Sequence, residues 1–128
     1  MKPKILLVED DEKIVKALTV RLKSQGYEVV AAFDAVMATS KAMEHHPDVI
    51  LLDISMPGGN GFTVAERLHD SSLTADIPII FLTASKEPGL RERAKELGAM
   101  AFLEKPFEAQ ELVSFIRQAL AGHTVPAF

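Results

Sequence analysis

Cysteine is absent from the 128 residues. That removes disulfides, thiolate metal sites and cysteine nucleophiles, and leaves nothing that requires an oxidising compartment. No apolar stretch approaches the ~18 to 20 residues that a membrane-spanning helix needs. The opening Met1-Lys2-Pro3-Lys4 is basic, but the apolar run behind it ends at Val8, before an acid, which is too short for a secretory signal. A surplus of positive charge is also missing. Formal net charge is -4 and the basic residues are scattered, so the electrostatic footprint of a nucleic-acid binder is not there. Internal repeats and low-complexity segments are lacking too. These exclusions predict a soluble, cytoplasmic, single-domain protein that engages neither membrane nor nucleic acid directly. At this length it should bury roughly two thirds of the surface its unfolded chain exposes.

What is present is a set of four short apolar runs, each ending at a polar residue of a particular kind. Ile5-Leu6-Leu7-Val8 leads to Glu9-Asp10-Asp11, Val49-Ile50-Leu51-Leu52 to Asp53, Ile79-Ile80-Phe81-Leu82 to Thr83, and Ala101-Phe102-Leu103 runs on to Lys105. Runs this short, rich in branched and aromatic residues, read as buried strands. Helical patterns separate them, which argues for an α/β domain with a parallel sheet, and in such sheets ligands gather outside the carboxyl ends of the strands. Acids, a hydroxyl and an ammonium should therefore converge at one edge.

Five strand-helix units fill the chain. Ile14, Ala17, Leu18 and Leu22 recur at helical spacing, with Gly26 placed to end that helix. A second strand covers Tyr27 to Ala32. Asp34 can cap a helix running to about Glu44, which Pro47 cannot continue. Phe62, Val64, Ala65, Leu68 and Leu73 mark a third helix; Leu90, Ala94 and Leu97 a fourth, ended by Gly98; and Leu112, Phe115, Ile116, Ala119 and Leu120 a fifth. From Gly122 the chain reads as a tail, which divides it into a domain over 1–121 and a tail or linker start over 122–128.

Each candidate residue carries a functional and a structural reading. Glu9, Asp10 and Asp11 beside Asp53 would crowd carboxylates into one pocket, a repulsion that a hard cation such as Mg²⁺ relieves. Equally, these acids can simply open a helix, where they favour the positive end of its dipole. Asp53, at a strand exit followed by Pro57, Gly58, Gly59 and Gly61, can be a nucleophile toward phosphorus or an Asx-turn residue. Thr83 is a turn residue or a hydroxyl donor, and Lys105 a solvated cation or the partner of an anionic oxygen. The glycines lack the Lys-Ser/Thr ending of a phosphate-binding P-loop and read as relief of backbone strain. His45 and His46 precede Pro47 at a helix end, where they complement the dipole.

Taken in order, Ile5 to Asp11, then Asp53-Ile54-Ser55-Met56-Pro57-Gly58 with Gly61, then Thr83-Ala84, Gly98-Ala99 and Lys105-Pro106-Phe107, the chain resembles the receiver domains of two-component response regulators over about residues 3 to 121. The resemblance implies a flavodoxin-like (βα)5 three-layer sandwich with strand order 2-1-3-4-5. It implies that Asp53 is the phosphoacceptor, taking its phosphoryl group from a sensor histidine kinase or histidine phosphotransfer protein. Asp10 and Asp53, with the Ser55 backbone carbonyl and with Glu9 acting through water, would hold Mg²⁺; Asp11 falls one place beyond the acidic pair and stays out. Lys105 would pair with the phosphoryl group, Thr83 would turn its hydroxyl onto it, and small Ala84 would leave the acid accessible. A Lys105-Pro106 cis peptide is a further expectation.

Phe102, where many relatives carry Tyr, would fill space that Thr83 vacates, or else is plain core. The output would be a changed surface around the fourth helix, fifth strand and fifth helix, offered to a downstream protein or effector by a monomer or a phosphorylation-dependent dimer. Such a domain is a signalling module that assists its own phosphorylation and dephosphorylation rather than an enzyme. Two other functions fit a similar fold: an FMN carrier, whose first strand should lead to hydroxyl and glycine donors rather than acids, and an Asp53-dependent hydrolase, which usually has a second Asp where this chain has Ser55.

Overall fold

Each apolar run becomes a strand, and their mutual register places the polar ends together. The computed structural model describes residues 2–56 and 59–122. Along the chain come β1 (Lys4–Val8), α1 (Glu12–Ser24), β2 (Glu28–Ala32), α2 (Ala35–His45), β3 (Val49–Asp53), the two-residue strands β4 (Ser55–Met56) and β5 (Gly59–Asn60), α3 (Gly61–His69), β6 (Ile79–Thr83), α4 (Leu90–Glu96), β7 (Ala101–Glu104) and α5 (Ala109–Leu120). Five strands pair in parallel in the order β2-β1-β3-β6-β7. Without the small β4-β5 ribbon this is the expected 2-1-3-4-5 order of the flavodoxin-like fold. Pro57 and Gly58 of the loop motif, and residues 123–128 of the expected tail, lie outside the described residues.

Alternation along the strands builds two cores. Ile5, Leu7, Val49, Leu51, Ile80 and Leu82 face α1 and α5, meeting Val15, Leu18, Leu22, Leu112 and Ile116. Leu6, Val8, Ile50, Leu52, Phe81 and Phe102 face α2, α3 and α4, meeting Ala38, Ala42, Val64, Leu68 and Ala94. Both faces are covered, which is why β3 and β6 read as unbroken apolar runs and are buried throughout. Side-chain caps set the helix starts. Asp11 accepts from the amides of Lys13 (2.9 Å) and Ile14 (3.4 Å), Asp34 from Met37 (2.8 Å) and Asn60 from Thr63 (3.0 Å). Gly26, just past α1, has φ 89°, a left-handed conformation that costs glycine little.

Some sequence expectations shift. Tyr27 precedes β2 rather than opening it; its amide donates to the Leu22 carbonyl (3.2 Å) as part of the turn leaving α1. The third helix stops at His69, and Leu73, placed on it by periodicity, is 63% exposed in the following turns. Thr74 secures those turns by donating its hydroxyl to the Leu68 carbonyl at 2.6 Å, a bond that competes with continuation of the helix. Leu97 is the cap of α4, not part of it.

Asp11 is thus a cap, which explains why it stands apart from the acids beside it. Asp11→Ala should lower unfolding free energy by about 1 kcal/mol, measured by urea denaturation. An unchanged transition would remove Asp11 as the device that starts α1.

Candidate functional site

The site is built from strand ends. Val8, the last residue of β1, pairs with Leu52 of β3, so Glu9 and Asp53 leave the sheet side by side. Asp53 pairs with Leu82, which puts Thr83 one residue beyond it, and Thr83 pairs with Glu104. The ladder extends one step further, because the Lys105 amide donates to the Thr83 carbonyl at 2.7 Å. Two carboxylates, a hydroxyl and an ammonium are therefore brought to one edge through parallel register alone, with no long-range loop needed to carry them.

Glu9 and Asp53 are nearly removed from water, at 1% and 4% exposure, and Lys105 lies between them. Its ammonium donates to Glu9 Oε1 and, at 3.4 Å, to Asp53 Oδ2. Glu9 Oε2 accepts from the Asp11 amide (3.2 Å) and Asp53 Oδ1 from the Ser55 amide (3.1 Å). The helix-opening reading holds for Asp11, which caps α1, and the turn reading holds for Asp53. Asp53 makes an Asx-type turn with one oxygen and presents the other to Lys105. Burial pushes the Lys105 pKa down, but the hydrogen bond to Glu9 and the negative charge of Asp53 outweigh it, and the net displacement is upward. Lys105 is a fixed cation here.

Carboxylate oxygens of Glu9, Asp10 and Asp53 lie within 4.8 Å of one another. Asp10 is exposed, so the cluster opens to solvent on its side. Three acids and one ammonium leave an excess of negative charge, and an all-oxygen donor set of this kind suits a hard divalent cation with room for water.

The remaining predicted residues fall around this pocket. Thr83 is fully buried, and its hydroxyl accepts from the Ser85 amide at 3.0 Å. Ala84 is exposed and lines an apolar groove of about 510 Å³ with Ile14, Leu18, Lys105 and Phe107. Ser55 is exposed, next to Asp53 on the small ribbon. The Lys105-Pro106 peptide is cis. Phe102 fits the second of its two readings, that of a core residue. Its ring is already inside, 4% exposed in the core facing α4, with the Arg91 guanidinium 4.8 Å above its centre. A phenylalanine has no hydroxyl to keep at the surface, so burial and a cation–π contact both favour this position. By sequence Arg91 belongs to a solvated face of the fourth helix; neither its contact with Phe102 nor the ion pair of Lys86 with Glu104 (2.9 Å), which ties the loop after Thr83 to β7, was legible there. Neither pair has a periodic signal, because both form across the gap between a loop or helix and the last strand.

The sequence matches the response regulator receiver domain over residues 5–117. RpaA of Synechocystis, a DNA-binding transcriptional regulator, is 36% identical over 118 residues, which are 92% of this chain and 49% of RpaA. PhoB of Pseudomonas aeruginosa, a phosphate regulon transcriptional regulatory protein, is 39% identical over 116 residues, 91% of this chain and 51% of PhoB. The chain spans about half the length of these relatives. The chemotaxis response regulator CheY4 of Vibrio cholerae shares the fold with a TM-score of 0.86 at 32% identity, covering 94% of this chain and all of that one. With strand order and sequence in agreement, the chain belongs to the response regulator receiver domains of two-component signalling systems.

Proposed function

We propose that this receiver domain accepts a phosphoryl group on Asp53 from a phosphohistidine of a sensor kinase or phosphotransfer protein. The observation that carries this reading is a carboxylate at an open strand end, flanked by a fixed ammonium and within 4.8 Å of the other acid oxygens. In the reaction an Asp53 oxygen forms the new bond to phosphorus as the phosphorus–nitrogen bond of the donor breaks. The histidine nitrogen leaves with the electron pair. The product is an aspartyl phosphate.

Positioning and charge, rather than acid–base work, are the domain's contributions. Glu9, Asp10 and Asp53, with the Ser55 carbonyl, are the residues that would hold Mg²⁺, which supplies charge neutralisation at the transferring phosphoryl oxygens. Lys105 is held by Glu9 beside the point of attack and supplies a compact positive charge to one of those oxygens. The Ser55 amide holds Asp53 Oδ1, restricting rotation of the nucleophile. Exposed Ala84 leaves the approach open, and the groove beside it continues from the site onto α1.

Output follows from Thr83. Its hydroxyl bonds the Ser85 amide before phosphorylation; turning it onto a phosphoryl oxygen frees that amide and the loop that follows. Lys86, in that loop, pairs with Glu104, and Arg91 at the start of α4 lies over Phe102. A shift at Thr83 therefore redistributes contacts on the face formed by α4, β7 and α5, the surface a downstream protein or effector domain would read, as a monomer or as a dimer formed on phosphorylation. Since Phe102 is already buried, this redistribution runs through the loop and its ion pairs rather than through entry of the ring. The module is a signalling domain, and a cytoplasmic location fits its donor.

A small phosphoryl donor with Mg²⁺ should add one phosphoryl group, read by intact mass, and Asp53→Asn should remain unlabelled. Labelling of Asp53→Asn at the wild-type level would sink the assignment. Lys105→Ala should keep the fold yet be phosphorylated roughly 100-fold more slowly, as for loss of one preorganised charge contact. The same variant should bind Mg²⁺ more tightly, since a competing cation leaves the pocket. Weaker Mg²⁺ binding, measured by calorimetry, would assign Lys105 a structural role instead.

A further inference from the structure

Gly61 opens α3 eight positions after Asp53, and its backbone is helical rather than left-handed. Relief of backbone strain, expected for it from sequence, is therefore not its role. A side chain there would meet the strand end itself. A Cβ built on Gly61 falls 2.6 Å from the Asp53 carbonyl oxygen and 3.0 Å from Ile54 Cα. Both neighbours are backbone, so no rotamer change can make room.

The segment in contact is the one that aims the phosphoacceptor. The Ile54 amide donates to the Leu82 carbonyl (3.0 Å), and the Ile54 carbonyl accepts from the Gly61 amide (2.8 Å). On the other side α3 is fixed by Val64, Ala65 and Leu68, each at most 1% exposed, and by the Asn60 cap. The Asp53–Ile54 backbone is thus clamped between β6 and the first turn of α3, and the clamp closes only because position 61 has no side chain.

We propose that Gly61 is a positioning residue for Asp53: its bare Cα seats α3 against the Asp53 carbonyl and so sets where the Asp53 carboxylate stands relative to Lys105, Glu9 and Asp10. This rests on Asp53 as phosphoacceptor. Ordinary contact begins at 3.4 Å, so an alanine must displace the strand end or the helix by several tenths of an ångström. Displacements approaching 1 Å, and loss of residues that orient metal ligands, typically reduce rate or metal affinity 10- to 100-fold.

The test is Gly61→Ala beside Gly26→Ala. Gly26 has φ 89° and nothing within 4 Å of its built Cβ, so its substitution strains the backbone far from the site and serves as the stability control. Both variants are titrated with Mg²⁺ by calorimetry and phosphorylated with a small phosphoryl donor, with folding checked by circular dichroism. The expected result is Mg²⁺ affinity and labelling rate each reduced roughly tenfold or more in Gly61→Ala, and unchanged in Gly26→Ala. Wild-type affinity and rate in Gly61→Ala would overturn the proposal. Equal losses in both variants would overturn it as well, by tracing the effect to general destabilisation. If Gly61→Ala is unfolded at 25 °C, the same titrations are made in sucrose, which favours the folded state; a chain that stays unfolded there overturns a role confined to Asp53. Failure of wild-type protein to label at Asp53 would instead refute the phosphoacceptor reading, a distinct result.

Discussion

Two carboxylates kept almost out of water, Glu9 and Asp53, are the constraint on which the rest of this structure depends. Removing a charge from water costs several kcal/mol unless a partner and hydrogen bonds replace the lost hydration. Here one ammonium serves both acids, and each acid takes one backbone amide as well. That arrangement satisfies the acids without neutralising them. With Asp10 added, three negative groups face one positive one, so the pocket retains a charge that a divalent cation balances. The same imbalance keeps Lys105 protonated, because losing its proton would leave Glu9 and Asp53 without a cationic partner.

The sheet makes this charge arrangement possible by being rigid where the charges are. A parallel sheet covered on both faces leaves its strands no slack in register, since a slip of one residue would turn every buried side chain of β3 to the opposite layer. Register in turn fixes the order in which Glu9, Asp53, Thr83 and Lys105 leave the sheet. At the end of β3 a further restraint is needed, because beyond Asp53 the chain leaves the ladder for a small ribbon. The contact with Gly61 supplies that restraint from the α3 side, while Ser55 restrains the side chain itself.

Much of this was legible in the sequence, and the reasons are specific. The strands were readable because unbroken branched runs have few other stable uses in a chain of this size, and the convergence of Glu9, Asp53, Thr83 and Lys105 at one edge because each apolar run gives way to a polar group at its carboxyl end. Asp34 as a cap and Gly26 as a helix stop were readable because each acts on its own few residues of backbone. Leu73 misled because its apolar side chain fits the helical period while the chain around it is held by a Thr74 bond that periodicity does not see. Between the two readings of Phe102, and in the roles of Arg91 and Gly61, the sequence could not decide for one shared reason: what each does is decided by an element distant along the chain. A ring's position depends on the guanidinium above it, and a glycine's purpose on whether a carbonyl stands 2.6 Å from where its Cβ would be.

The two ends of the proposed switch are held unequally. Asp53 is clamped by backbone on both sides, whereas α4 is only seven residues long, has no side-chain cap at Gly89, and buries only Ala94 fully. What ties α4 and the preceding loop to the body includes exposed ion pairs, Arg93 with Glu66 and Lys86 with Glu104, together with Arg91 over Phe102. Exposed pairs of this kind contribute little and are screened by salt. A rearrangement begun at Thr83 thus meets a stiff sheet on one side and a weakly held helix on the other. In the proposed mechanism, energy introduced at Asp53 would deform the weaker element, so the α4 side of the domain is where a change of charge at that carboxylate would become a change of shape.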